Sequence, residues 1–327
     1  MTTDITVLKQ LTAIRLDVNI WSARKKLTPA DFGTSNLPPE SLASLGSKKV
    51  CNPEDLRVFA ALKARAVALL DRHGVRFLGG WAIPETATRA VIDALEAIGN
   101  DFSQAKDAFL ARYDDAVRNW IGQNPGWEKL ITGSVVDADI VRSRLGFAWQ
   151  MFKVVPPRKA DAGRPLVDAV AGLGNTLMGE AAKVADEAWE KSFVGKTEVS
   201  LKALSPIHGL RHKLSGLSFV EPRVAPVVDL IDAALATLPA KGPIAGGDLV
   251  MLQGLVCLLR DPVALIEHGQ KIIDGQTPDQ MLRQLVTRPP APCVPAADDE
   301  EETEDDDAPF ADVSHEPMPQ VDSLGLW

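Results

Sequence analysis

Ten residues, 75–84 (V-R-F-L-G-G-W-A-I-P), constrain the fold more than any other stretch of this chain. They lie between two segments of helical apolar spacing and gather apolar side chains around a Gly-Gly pair and a Trp. Such a run reads as a short buried strand or strand-turn that anchors the N-terminal half. It carries no nucleophile, metal ligand or phosphate loop.

The flanking helices announce their ends. Asn52-Pro53-Glu54-Asp55 supplies an Asn cap, a Pro for the first helical position and two acids at the positive end of the helix dipole. Leu56, Phe59, Leu62, Ala66 and Leu69/Leu70 then share one face, and the helix is expected to stop at Gly74 with His73 in its last turn. A second helix over about 84–98 is expected to end at Gly99-Asn100. Asp101 then caps a third, striped by Phe102, Ala105, Phe109, Tyr113, Ala116 and Trp120 and ending near Gly122. Upstream, Ile14, Leu16, Val18 and Ile20 alternate with polar residues, which predicts a strand buried on one face. A helical reading of residues 7–15 leading into it is equally allowed. Residues 147–155, closed by Pro156-Pro157, form another β-like run. It is expected to pair with the strands near Ile14 and Val75 in one small sheet.

Residues 165–191 show a heptad: Val167, Gly174, Ala181 and Ala188 at one position, Val170, Leu177 and Val184 at its pair. Small residues on a seam let another helix backbone approach closely, so a packed helical hairpin is expected, with the Phe102–Trp120 stripe as its partner. Residues 201–213 and 222–238 read as a further helical pair, followed by helices over 247–259 and 278–286 and a turn over 262–269. The fold class is mainly α: a helical bundle with long antiparallel helices and a small β-sheet in the N-terminal half. The expected divisions are an α+β domain over 1–160, a helical domain over 161–288 and a disordered acidic tail over 289–327.

Charge separates that tail from the body. Twelve of the 44 acidic residues fall in 289–327, which has no Lys or Arg; the remaining 32 face all 35 basic residues, so the body is near neutrality. Nine acids in the ten positions 298–307 cannot bury enough apolar surface to fold. Cys51, Cys257 and Cys293 are scattered, against a disulfide framework or zinc site. The opening residues lack a signal-peptide pattern and the longest apolar runs are too short to span a bilayer, so a cytoplasmic protein is expected.

Few motifs carry chemistry. His208 and His212 stand four apart, but Gly209 replaces the Glu that a catalytic zinc helix needs, and surface histidines are the plainer reading. Neither Gly79-Gly80 nor Gly172/Gly174 sits in a nucleotide-binding pattern, and close backbone packing explains them better. Ser44, Ser47 and Ser134 lack an elbow sequence. Cys51 precedes a helix N-terminus, which would lower its pKa, although a half-buried structural thiol is the commoner outcome. No catalytic residue, cofactor or metal is assigned, and the chain is read as not an enzyme.

What remains are interaction residues. Arg24, Lys25 and Lys26 lie just past Trp21, and Lys48 and Lys49 close a Pro-, Ser- and Gly-rich loop over 28–50. With Trp21 and Trp81 nearby, this cationic loop could grip a nucleic-acid backbone or an acidic partner surface; a solvated face is the alternative. The acidic tail could itself occupy such a patch. That tail also holds Phe310 after an acidic run, similar to the tips by which single-strand DNA-binding proteins recruit partners, and ends in an apolar hook at Trp327.

Four strings together resemble a bacterial family, domain of unknown function 3150: I-W-S-A-R-K-K-L at 20–27, S-L-A-S-L-G-S-K-K-V-C-N-P-E-D-L at 41–56, the run at 75–84, and H-K-L-S-G-L-S-F-V-E-P-R-V at 212–224. Ala23 stands where the resemblance leads one to expect Gly. The resemblance implies a product of phages, plasmids or integrative elements, encoded near a MoxR-like AAA+ ATPase and a von Willebrand A-type protein; it implies no catalytic residues. The leading expectation is therefore a non-enzymatic adaptor working with that ATPase and the von Willebrand A-type partner. The alternative is a nucleic-acid-binding accessory protein for replication or recombination that uses the basic region from Arg24 to Lys49.

Overall fold

A computed structural model describes residues 2–28, 31, 46–155 and 164–287 of the chain. It is mainly helical with a four-stranded antiparallel sheet in the N-terminal half. Helix α1 (Thr2–Lys9) leads into β1 (Leu11–Asn19), so the helical and strand readings of this region each hold for part of it. Two three-residue strands follow, β2 (Arg24–Lys26) and β3 (Ser47–Lys49). Asn52 accepts a hydrogen bond from the Glu54 N–H at 3.1 Å and opens a 3-10 turn, Pro53–Leu56, that runs into α2 (Arg57–His73). Its buried stripe is Phe59, Leu62, Ala66 and Leu70, as the spacing predicts.

Gly74 ends α2 in an extended conformation, and the need for Gly there is proximity. A Cβ at 74 would lie 2.3 Å from the Ile83 Cδ1 atom and 2.8 Å from the Ala82 carbonyl oxygen. The run at 75–84 is a hairpin, β4 (Val75–Phe77) and β5 (Gly80–Pro84), joined by Leu78-Gly79. Both turn residues have positive φ, 47° and 77°, which matches the type I′ geometry that suits strand twist. Helix α3 (Glu85–Ala111) follows and breaks at Arg112 before α4 (Tyr113–Gly122).

Contrary to the stop expected at Gly99-Asn100, the helix runs through both residues. Gly99 sits inside α3, where a Cβ would approach the Phe147 ring at 3.3 Å, so the glycine serves a close strand contact. Asp101 pairs with Arg65 of α2 at 2.9 Å. After the short helices α5 (Glu128–Thr132) and α6 (Ala138–Arg144), β6 (Gly146–Phe152) completes the sheet in the order β4-β5-β1-β6. The three β-like runs do share one sheet.

Alternation on β4 and β5 fills both sides of that sheet. Trp81 and Ile83 point into a core built with α2, α3 and α4, whereas Val75, Phe77 and Ala82 join a second core made largely by the C-terminal helices. The expected boundary at 160/161 falls within residues 156–163, outside the described residues. Segments on either side of it contribute to one hydrophobic cluster, and residues 1–290 form one compact unit. The tail, 289–327, also lies outside the described residues.

The heptad region is two helices, α7 (Arg164–Ala171) and α8 (Leu173–Ser192), divided at Gly172. Its expected partner is corrected as well: α8 packs on β4, α9 (Ser205–Gly216), α11 (Gly246–Leu259) and α12 (Pro262–Ile273). The small seam does admit close contact, since a Cβ at Gly174 would lie 2.9 Å from that of Glu221. Val184 nevertheless turns outward, because a straight helix drifts away from a strict seven-residue repeat. Helix α10 (Val224–Thr237) packs on α9 as a pair, and α13 (Pro278–Thr287) closes the bundle against α10 and α11. The span read as a turn over 262–269 is the helix α12, capped by the Asp261 side chain on the Val263 N–H at 2.9 Å. Among the described residues no single helix is long and apolar enough to cross a membrane.

Candidate interaction surface

The two blocks of cations, 24–26 and 48–49, are brought together. Strands β2 and β3 form an antiparallel ribbon in the register Arg24↔Lys49, Lys25↔Lys48, Lys26↔Ser47. The register places a cation opposite a cation twice. Backbone bonds extend the ribbon at both ends: Leu27 N–H to Gly46 O at 3.0 Å and Val50 N–H to Ala23 O at 2.9 Å. Its base is rigid, because Trp21, Ala23, Val50 and Cys51 are all buried in the core with Phe109 and Tyr113.

Ala23 has φ 52°, a left-handed conformation, which explains why a Gly would suit this position. The kink turns the chain out of β1 and into the ribbon. Arg24, Lys25, Lys26 and Lys49 are exposed. Lys48 is largely covered and pairs with Asp31, which also accepts the Thr28 N–H at 2.7 Å and the Thr28 hydroxyl at 3.1 Å. The hydrogen bond from Lys48, followed by that from the Thr28 backbone, holds the Asp31 carboxyl below its usual range. Lys48 is thus spent inside the ribbon, and the outward charge is that of its neighbours.

Both tryptophans proposed as contacts are corrected. Trp21 is 3% exposed and packs edge-on to Tyr113 at 5.7 Å between ring centres. Trp81 is 5% exposed; its indole N–H donates to Asp71 at 2.7 Å, and the Arg76 guanidinium lies 3.9 Å over its ring. Neither can stack on a nucleotide. A large aromatic ring buried beside a basic strand reads, in sequence, like one exposed beside it. Phe310 and Trp327 lie outside the described residues.

Below the ribbon a polar cleft of about 350 Å³ is lined by Asn19, Ile20, Trp21, Ser22, Ser143 and Arg144. Cys51 is fully buried, and its thiol is pushed up to about 12, mainly by that burial and also by Asp55. A reactive thiolate is therefore excluded at neutral pH. Ser134 is buried with its hydroxyl donating to the Leu130 carbonyl at 2.8 Å, a structural role.

A second polar cluster was not anticipated. Lys213, 6% exposed, donates to Glu180 at 2.6 Å and to the Asp71 carbonyl at 2.7 Å. The sequence signal was a lysine on the apolar stripe Ile207, Leu210, Lys213, Leu214 of α9. Next to it a cleft of about 270 Å³ opens between His73, His212 and the start of α3 at Thr86 and Ala87. The two imidazoles meet edge to face at 5.6 Å, and burial, then His212 and Arg72, lowers the His73 pKa. His212 is exposed, with the His73 ring as its neighbour. Among the described residues no group of three or more His, Cys, Asp or Glu is placed to hold one.

A family model described as "Protein of unknown function (DUF3150)" matches residues 8–261. The chain belongs to that family. The match runs from α1 through α11, so the sheet, the basic ribbon and the Lys213–Glu180 pair are all family territory. No curated protein and no solved structure matches this chain.

Proposed function

We propose that this family member is a non-enzymatic adaptor of a phage, plasmid or integrative element. It acts with a MoxR-like AAA+ ATPase and a von Willebrand A-type partner, and it meets an acidic protein surface through the β2–β3 ribbon. The observation that carries the ribbon's part in this reading is its register. Like charges directly opposite on a ladder destabilise it, yet Arg24 faces Lys49 and Lys25 faces Lys48. Among the described residues, Asp31 offsets one of these cations, Lys48. A ribbon that accepts this cost on a rigid, buried base is suited to an external polyanion, and the burial of Trp21 and Trp81 favours a charged surface over stacked bases.

The test is co-elution with a MoxR-like AAA+ ATPase, using the intact chain, a chain lacking residues 289–327, and Arg24→Glu with Lys25→Glu. Complex formation that survives tail removal and fails on charge reversal is the expected result. Co-elution that instead depends on 289–327 moves the contact to the tail. No complex in any nucleotide state overturns the adaptor reading.

One observation favours a second reading. A two-stranded ribbon is of a size that a DNA major groove admits, and four exposed cations would make backbone contacts. Duplex binding of this kind weakens with a log–log salt slope of roughly −0.9 per phosphate neutralised. A flat salt response would exclude it.

A further inference from the structure

The two edges of the four-stranded sheet are treated differently. At the β4 edge the Arg76 N–H is taken by the Glu180 carboxylate of α8 at 2.9 Å, and α8 lies along the strand. At the β6 edge, the outer side pairs with no strand among the described residues. Strand β6 is seven residues long, G-F-A-W-Q-M-F, without a charge or a proline, and its register against β1 runs unbroken from Gly146 to Phe152. Exposed edges are normally blunted by charge, proline, bulges or a covering element. None of the first three is present on β6.

The side chains of this strand are also unfinished in their burial. Phe147 and Trp149 face the α3 side of the sheet with Leu16 and Val18, and all four remain partly exposed. Met151, on the same face, is 48% exposed, and Phe152 on the other face is 43% exposed.

We infer that β6 is a self-pairing edge: two copies of this chain join antiparallel β6 strands about Trp149, giving one continuous eight-stranded sheet. The sequence of the strand is self-complementary in this register. Gly146 meets Phe152 of the second copy and Ala148 meets Gln150, a small residue against a larger one each time, while Phe147 meets Met151 on the apolar face. The flanking cations Arg144 and Lys153 fall opposite Val154 and Leu145, so no like charges collide. An acidic or basic peptide would find no charge to pair with along the strand, whereas a second β6 supplies apolar faces that complete the cover of Trp149 and Met151. The basic ribbon leaves the sheet near Asn19, which pairs with Gly146, so the dimer carries its two ribbons at opposite ends of the joined strands.

The register gives the test. Ala148 and Gln150 are exposed, and each would face the other across the twofold axis. In a chain carrying Ala148→Lys with Gln150→Lys, lysines oppose lysines; Ala148→Glu with Gln150→Glu does the same with acids. Within one chain each pair meets Asp17 and Arg15 of β1, one favourably and one not, so folding should be nearly unaffected, as thermal melts of each variant would check. Light scattering should show the intact chain at twice its 35.2 kDa mass and both double variants at the single mass. Mixing the two variants should restore the double mass. A monomeric wild-type chain, or double variants that remain dimeric, overturns the proposal. So does a monomeric chain whose β6 variants lose only a foreign partner.

Discussion

The ammonium of Lys213 lies 2.6 Å from the Glu180 carboxylate, whose other oxygen takes the Arg76 N–H at 2.9 Å. A third bond, from Lys213 to the Asp71 carbonyl, closes a link between α9, α8, the end of α2 and the first strand of the hairpin. This one pair thereby fastens the C-terminal helices to the N-terminal sheet. Asp71 extends it to Trp81 and, at 3.1 Å, to Arg76.

Removing one partner of that link should cost far more than replacing the pair. Lys213→Ala leaves Glu180 largely covered and the Asp71 carbonyl without its donor, and should lower unfolding stability by about 3 kcal/mol. Lys213→Met with Glu180→Gln keeps the volume and removes both charges, and should recover a large part of the loss. Chemical denaturation of the two variants checks this. Equal stability of Lys213→Ala and the wild type would show that the link contributes nothing.

His73 gives the fold a pH dependence of predictable sign. Burial and the nearby His212 and Arg72 lower its folded pKa, so the unfolded chain, at about 6.5, takes up the proton first. Stability is therefore full above about pH 6.5, falls as pH drops toward the folded value, and then levels off. The carboxyls of Asp31, Glu85, Glu221 and Asp232 are lowered instead, and their contributions vanish only in the acid range. His73→Gln should flatten the denaturation midpoint across the near-neutral window and leave the acid limb unchanged.

Within the ribbon, two adjacent lysines should behave oppositely. Lys48 is committed to Asp31, so Lys48→Met should loosen the ribbon and change its susceptibility to proteolysis. Lys49 is exposed, so Lys49→Met should leave stability within about 0.5 kcal/mol and weaken partner binding in a salt-dependent way. Measuring both properties on both variants separates the structural cation from the recognition cation.

How much of this was legible in the sequence follows from the range of each signal. The cap at Asn52, the stop at Gly74 and the alternation through Ile14 are local, and local chemistry decided them. Gly99 and Gly74 look alike in sequence, yet one lies inside a helix against Phe147 and the other ends one against Ile83. That difference is set by a neighbour far along the chain. The same holds for the ribbon: the cations were visible as two blocks, but their pairing depends on the intervening loop closing. Trp21 and Trp81 are buried rather than available for contact because tertiary neighbours settle where each ring goes: Tyr113, far along the chain, for Trp21, and Asp71, ten residues back across the α2–β4 turn, for Trp81.

The hairpin tip holds a correctable strain. Leu78 adopts φ 47° and is 56% exposed, so it meets the left-handed penalty without compensating burial. Leu78→Asn creates the Asn-Gly pair preferred by this turn and should raise stability by about 1 kcal/mol. A lower melting temperature would mean that the Leu78 side chain supports the fold through contacts that outweigh the strain.

Two glycines in regular structure should respond in opposite directions to the same added methyl. Gly209 lies inside α9, and a Cβ there meets nothing within 4 Å. Alanine removes conformational freedom from the unfolded chain at no steric cost, so Gly209→Ala should stabilise by roughly 0.5–1 kcal/mol. Gly80 opens β5 where β1 runs alongside it, and a Cβ would sit 2.3 Å from the Ile14 carbonyl oxygen and 3.2 Å from its carbon. Those atoms are backbone and belong to the middle of the sheet, so they cannot rotate aside as a flexible side chain would. Gly80→Ala must push β1 away from β5, and the loss should be at least about 3 kcal/mol or prevent folding altogether. Soluble expression and melting of the two variants side by side would decide it. A well-folded Gly80→Ala chain would show that the two strands do not approach as closely as the 2.3 Å contact requires.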